Sequence, residues 1–128
     1  KGISRTITGV AAFEACYDGR CDDYADSVCA YVRENLLWLE AFLKTRLSQV
    51  SLVRPDGCFV CWLDCNGLGF ATQKELMAFL DGTGVMLSDG SDYFADGDGR
   101  GYVRMAYAFP RSQLQEALEH LENAVSAL

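Results

Sequence analysis

The stretch Tyr102-Val103-Arg104-Met105-Ala106-Tyr107-Ala108 decides the fold. Its aromatic and β-branched residues, with no Gly or Pro inside, make it the most strand-like run in the chain. Pro110 closes it, because proline has no backbone N–H to give a ladder. Alternation places Tyr102, Arg104, Ala106 and Ala108 on one face, so a guanidinium shares a sheet surface with small and aromatic side chains. The rest of the chain must pack around this strand.

A partner for it lies upstream. Ser51-Leu52-Val53-Arg54 reads as a short strand, Pro55-Asp56-Gly57 as a turn, and residues 58–64 as a second strand, which together make a hairpin. Cys58, Val60 and Trp62 occupy one face of that second strand, and Phe59, Cys61 and Leu63 the other. Both faces are apolar, so the strand is expected to be central and covered on both sides, in part by a layer outside this chain. Thr72-Gln73-Lys74-Glu75 is a capping box, opening a short helix with Leu76, Phe79 and Leu80 on its apolar face and ending near Gly82. Residues 84–87 read as a strand and 88–101 as a loop dense in Gly and Asp.

Helices flank this set. Thr6 or Thr8 can open one over about residues 9–18, which Gly19 ends. From 22 or 23 to 47, the positions Tyr24, Val28, Tyr31, Val32, Leu36, Leu39, Phe42, Leu43 and Leu47 recur at helical spacing, with acids in the first turn and Lys44 and Arg46 in the last. At the other end, Ser112 with Gln115 reads as a second capping box. It leads a helix with Leu114, Ala117, Leu118, Leu121, Val125 and Leu128 as its buried stripe. The order α-α-β-β-α-β-β-α predicts an α+β two-layer sandwich, a small mixed sheet packed by helices.

A chain of 128 residues, half of them hydrophobic, has room for one packed domain. Eleven Lys and Arg against eighteen Asp and Glu give a net charge of −7, which opposes nucleic-acid or anionic-membrane partners. No apolar stretch reaches the roughly 18–20 residues of a membrane span. The six cysteines sit in helical or strand segments rather than loops, so they are expected as reduced, mostly buried thiols of a cytosolic protein. The first residue is Lys1, and the sequence is therefore expected to be a piece of something longer.

Most constellations fail on chemistry. Cys58-x-x-Cys61-x-x-x-Cys65 has thiolate spacing, but its apolar spacers favour an extended strand that aims neighbouring sulfurs apart, so no metal site is expected. Around Asp96-Gly97-Asp98-Gly99, the position where a calcium loop needs Glu holds Arg100, Val103 or Tyr107, depending on the starting acid. His120 lies on the polar side of the last helix, without a nucleophile beside it. No self-contained set of catalytic residues emerges. Arg104 stands apart: a guanidinium flanked by small side chains can receive a planar carboxylate in a bidentate fork, or simply sit in water on an edge strand.

Four groups of residues carry a resemblance. They are Pro55-Asp56-Gly57-x-Phe59-x-x-Trp62-Leu63-Asp64, the helix bearing Glu75-Leu76, Gly84-Val85-x-Leu87-x-x-Gly90-Ser91, and Gly101-Tyr102-Val103-Arg104-Met105-x-x-Ala108-x-Pro110-Arg111-Ser112. Nearly the whole chain, in order, resembles the small C-terminal domain of class I/II aminotransferases, pyridoxal-phosphate enzymes of fold type I. The run Gly9-Val10-Ala11-Ala12-x-Glu14-Ala15-x-Tyr17 is similar to the cystathionine beta-lyase-like branch, which cleaves carbon–sulfur bonds in amino acids. The resemblance implies a leading segment at a domain junction (1–21), the small domain proper (22–128), a large domain of the same chain, and a cytoplasmic homodimer. It implies that Arg104 grips the substrate's α-carboxylate and that Arg111 is structural at the strand-to-helix turn. The pyridoxal phosphate and its Schiff-base lysine would belong to the large domain, with no catalytic, cofactor-binding or metal-binding residue here. Two departures stand out: Ala106 where the family commonly has Asn, and bulkier residues at Tyr107 and Phe109. A stand-alone α+β ligand-binding or regulatory domain, with Arg104 holding a free carboxylate, is the competing reading.

Overall fold

The computed structural model describes residues 6–95 and 99–128. Helices α1 (Ile7–Tyr17) and α2 (Asp22–Arg46) precede strands β1 (Ser51–Val53) and β2 (Val60–Asp64). Helix α3 (Gln73–Gly82), strands β3 (Ser88–Asp89) and β4 (Tyr102–Ala106), and helix α4 (Arg111–Val125) complete the order, with single 3-10 turns at Asn66–Leu68 and Ser91–Tyr93. The α+β architecture is as expected. The sheet has the order β1-β2-β4-β3, and each pairing is antiparallel rather than mixed, because β4 returns between β2 and the short edge strand β3.

Alternation divides the sheet into two unlike faces. Cys61 and Leu63 of β2 and Val103 and Met105 of β4 point into one core with Leu36, Leu39, Phe42 and Leu43 of α2, Leu76 and Leu80 of α3, and Leu114, Leu118 and Leu121 of α4. Leu39, Leu63, Val103 and Leu118 are wholly buried, each worth about 1.5–3 kcal/mol relative to exposure. The opposite face, Val60, Trp62, Asp64, Tyr102, Arg104 and Ala106, is only half-buried.

Capping chemistry explains most boundaries. Thr6 accepts from the Gly9 amide at the start of α1, and the Thr72–Glu75 capping box opens α3 as expected. No such box forms at Ser112. Helix α4 begins at Arg111, with the Pro110 carbonyl accepting from Gln113 and Leu114, so Ser112 already lies inside the first turn. Strand β2 starts at Val60 because Cys58 takes a left-handed conformation at φ 81° to finish the turn. Residues 84–87 alternate in burial but form no strand; pairing begins at Ser88, inside the stretch expected as loop.

The apolar stripe of α2 is covered along half its length. From Asn35 onward it is buried, whereas Tyr24, Val28 and Tyr31 are exposed, and α1 buries no residue at all. The cysteines also depart from expectation. Cys16, Cys21, Cys29 and Cys58 are exposed, and only Cys61 and Cys65 reach the core. Leu128, expected in the α4 stripe, is exposed as well. The Asp96–Asp98 part of the calcium-like run lies outside the described residues.

Candidate functional site

Arg104 sits in the middle of the half-open face. Its register partners are Trp62 on β2 and Ser88 on β3. The guanidinium carbon lies 4.7 Å from the centre of the Tyr93 ring, and among the described residues it has no carboxylate partner. Trp62 meets both Tyr93 and Phe94 edge-on, at 5.5 and 5.7 Å between centroids, and Phe94 lies 5.9 Å from Tyr102. A planar cation therefore lies over one ring of an aromatic cluster, with its N–H groups uncommitted among the described residues. Arg104 also borders a cleft of about 380 Å³ whose wall includes Gly84, Met86, Ala106 and Phe109.

The strap carrying Tyr93 is pinned to β4. Gly90 donates to the Tyr102 carbonyl, and a Cβ on Gly90 would fall 2.2 Å from that oxygen, so only glycine fits so close an approach. Asp89 Oδ1 accepts from the Ser91 amide at 2.8 Å, the Ser91 hydroxyl at 2.7 Å and Gln73 Nε2 at 2.9 Å. Burial alone would raise the Asp89 pKa, but the Ser91 hydroxyl, the Ser91 amide and Gln73 together hold it below the ordinary aspartate value. Gln73 also donates to the Tyr102 carbonyl and accepts from the Gly101 amide, tying the start of α3 to the same corner.

Arg111 occupies the strand-to-helix turn in a separate cluster. Its Nε donates to Asn35 Oδ1 at 2.8 Å, and its amide donates to the Tyr31 hydroxyl at 2.7 Å. Its guanidinium lies over Trp38. Asn35, wholly buried, donates to the carbonyls of Tyr107 and Phe109, so every polar group of its side chain is used. Sequence reasoning passed over Asn35 and Tyr93. The only signal for Asn35 is a polar residue inside an apolar helical stripe, and Tyr93 lies in a run read as loop.

The thiols do not converge. Cys61 and Cys65 lie in the core, where Cys61 donates to the Met105 carbonyl, while Cys58 opens onto a cleft of about 720 Å³ between α2 and the β1–β2 turn. Arg104 does not border that larger space. His120 is exposed on α4.

No protein-family model matches the chain. It is 29% identical to the cystathionine beta-lyase PatB of Bacillus subtilis (strain 168) over 117 residues, which is 91% of this chain and 30% of that protein. The fold superposes on a pyridoxal-phosphate-bound putative aminotransferase from Clostridium difficile 630 with a TM-score of 0.85 and 28% identity, over 96% of this chain and 31% of that one. Cystalysin from Treponema denticola, which contains pyridoxal 5'-phosphate, gives 0.85 and 26%, over 98% and 31%. The chain matches the C-terminal part of fold type I pyridoxal-phosphate enzymes. It spans about three tenths of the length of these relatives.

Neither described lysine is placed beside Arg104 to hold the cofactor of these fold type I enzymes. Lys44 is bound to Glu40 on the outer side of α2, and Lys74 is exposed on α3; neither borders the cleft beside Arg104. No described helix is long and apolar enough to cross a membrane.

Proposed function

We propose that the chain is the C-terminal domain of a pyridoxal-phosphate-dependent aminotransferase or carbon–sulfur β-lyase acting on amino acids, and that Arg104 binds the substrate's α-carboxylate. The chain by itself lacks the residues for catalysis; the cofactor belongs to the large domain. The observation that carries this reading is the placement of Arg104: a half-buried guanidinium on the open face of the sheet, over the Tyr93 ring and with no described carboxylate partner. Two parallel N–H···O bonds from such a fork fix the plane of a carboxylate and, with it, the direction of the bonds at the adjacent carbon. Lysine offers a point charge without that geometry.

The exposed apolar side of residues 7–31 supports a further part of the proposal, that the leading segment 1–21 and the start of α2 lie against the large domain of a cytoplasmic homodimer. Ile7, Phe13 and Tyr17 are 89, 63 and 76% exposed, more apolar surface than a helix keeps without a neighbour.

The decisive experiment is Arg104→Lys in the full-length enzyme. Loss of the bidentate geometry is expected to weaken amino-acid binding by about 2–5 kcal/mol. Unchanged kinetics would remove Arg104 from the carboxylate site.

A further inference from the structure

An arginine that must present one planar edge to a ligand has to be stopped from swinging, and the Tyr93 strap is built where it can do that. Arg104 projects from the centre of β4, and its guanidinium carbon lies over the Tyr93 ring, 4.7 Å from the centroid. Stacking on an aromatic ring occupies a face of the guanidinium and leaves the N–H groups in its plane free to donate. The ring is itself held. Trp62, the register partner of Arg104, packs edge-on against it, and the Tyr93 amide donates to the Gly90 carbonyl. The Asp89–Ser91–Gln73 hydrogen bonds fix the turn in which Tyr93 sits. Yet Tyr93 is 49% exposed, so it contributes little to the core that folds the domain. A half-exposed aromatic, anchored by a polar network and applied to a cation, is a support for that cation.

We propose that Tyr93 is a positioning residue for the carboxylate grip, setting the plane and rotamer of Arg104 from below. The proposal rests on the reading of Arg104 given above. An unsupported arginine samples several rotamers and loses that freedom when it binds; an arginine already stacked loses less, and discriminates more sharply for a planar carboxylate. The phenyl ring, not the hydroxyl, does the work, so Tyr93→Phe should be silent.

The test compares L-alanine with L-alaninamide, which lacks the carboxylate, by calorimetric titration of the full-length holoenzyme. Wild type and Tyr93→Phe should prefer L-alanine by the same factor. Tyr93→Ala should reduce that preference about three- to tenfold, the range for losing a stacked cation, while the affinity for L-alaninamide stays constant. Tyr93→Leu, which fills the space without a π face, should fall with Tyr93→Ala, and it replaces that variant if Tyr93→Ala does not fold. A preference unaltered by Tyr93→Ala or Tyr93→Leu but abolished by Arg104→Ala would overturn the role of Tyr93 and leave that of Arg104 standing. A preference unaltered by Arg104→Ala, or absent from the wild type, would overturn both. An equal loss of affinity for both ligands would mark Tyr93 as structural only and also overturn the proposal.

Discussion

The two faces of the sheet are made from the same residues in alternation, yet they have separate tasks. On the inner face, Cys61, Leu63, Val103 and Met105 are sealed beneath the helices. On the outer face, Trp62, Tyr102 and Arg104 are half-buried and include a cation lying over the Tyr93 ring. A period of two lets one five-residue strand hold the fold with one set of side chains and present a cation with the other. Neighbouring substitutions in β4 should therefore differ in kind, Val103 being structural and Arg104 acting in the carboxylate binding proposed for it.

The largest expected effect strikes the sealed side. Leu118→Ala opens a cavity in the core and should destabilise the domain by about 2–5 kcal/mol, whereas Arg104→Ala, which gives up one half-exposed cation–π contact, should cost about 1 kcal/mol or less. Urea midpoints measure both. An Arg104→Ala midpoint as low as that of Leu118→Ala would break the division between the faces.

A smaller loss is expected where the inner layer meets the strand's exit. Asn35→Leu keeps the approximate volume but leaves the Tyr107 and Phe109 carbonyls and the Arg111 guanidinium without their partner. That should lower stability by about 2–3 kcal/mol, with faster amide hydrogen exchange around residues 107–111. A neutral Asn35→Leu would mean that this polar cluster is dispensable to the junction of β4 and α4.

The sequence made some of this plain and concealed the rest for physical reasons. Regular periodicity revealed α2, α4, β4 and the β1–β2 hairpin, because burial imposes its period on the residues that pack. Arg104 was visible as a lone charge in the most strand-like run. The short strand β3 and the Tyr93 turn were not. Their conformation is fixed by side-chain bonds from Asp89 and Gln73, sixteen positions apart, and by the close approach of Gly90 to Tyr102. Such contacts leave no local period. Periodicity misled at the start of α2, where Tyr24, Val28 and Tyr31 continue the apolar stripe but stay exposed, Tyr31 touching the rest of the chain through its hydroxyl, which accepts from the Arg111 amide. An amphipathic pattern shows that a face is to be covered, not by what.

Thiol chemistry offers the finest probe of the sealed face. Burial pushes Cys61 up to about 12, and burial with the Asp64 charge does the same to Cys65, so both stay protonated and unreactive near neutrality. Iodoacetamide at neutral pH should label Cys16, Cys21, Cys29 and Cys58 in the folded 128-residue chain on its own, and reach Cys61 and Cys65 only after unfolding, which peptide mass mapping distinguishes. The same shift sets an alkaline limit. Below about pH 8.5 these thiols are neutral in both states and take nothing from stability. Between that value and about 12, the unfolded chain releases thiol protons that the folded one retains, so stability falls by about 1.4 kcal/mol per pH unit for each thiol. Replacing Cys61 and Cys65 by Ala should flatten the decline in urea midpoint between pH 9 and 10 while lowering the midpoint at pH 7. An unchanged slope would mean that water reaches the sulfurs, and that the inner face is less tightly closed than the burial of its leucines indicates.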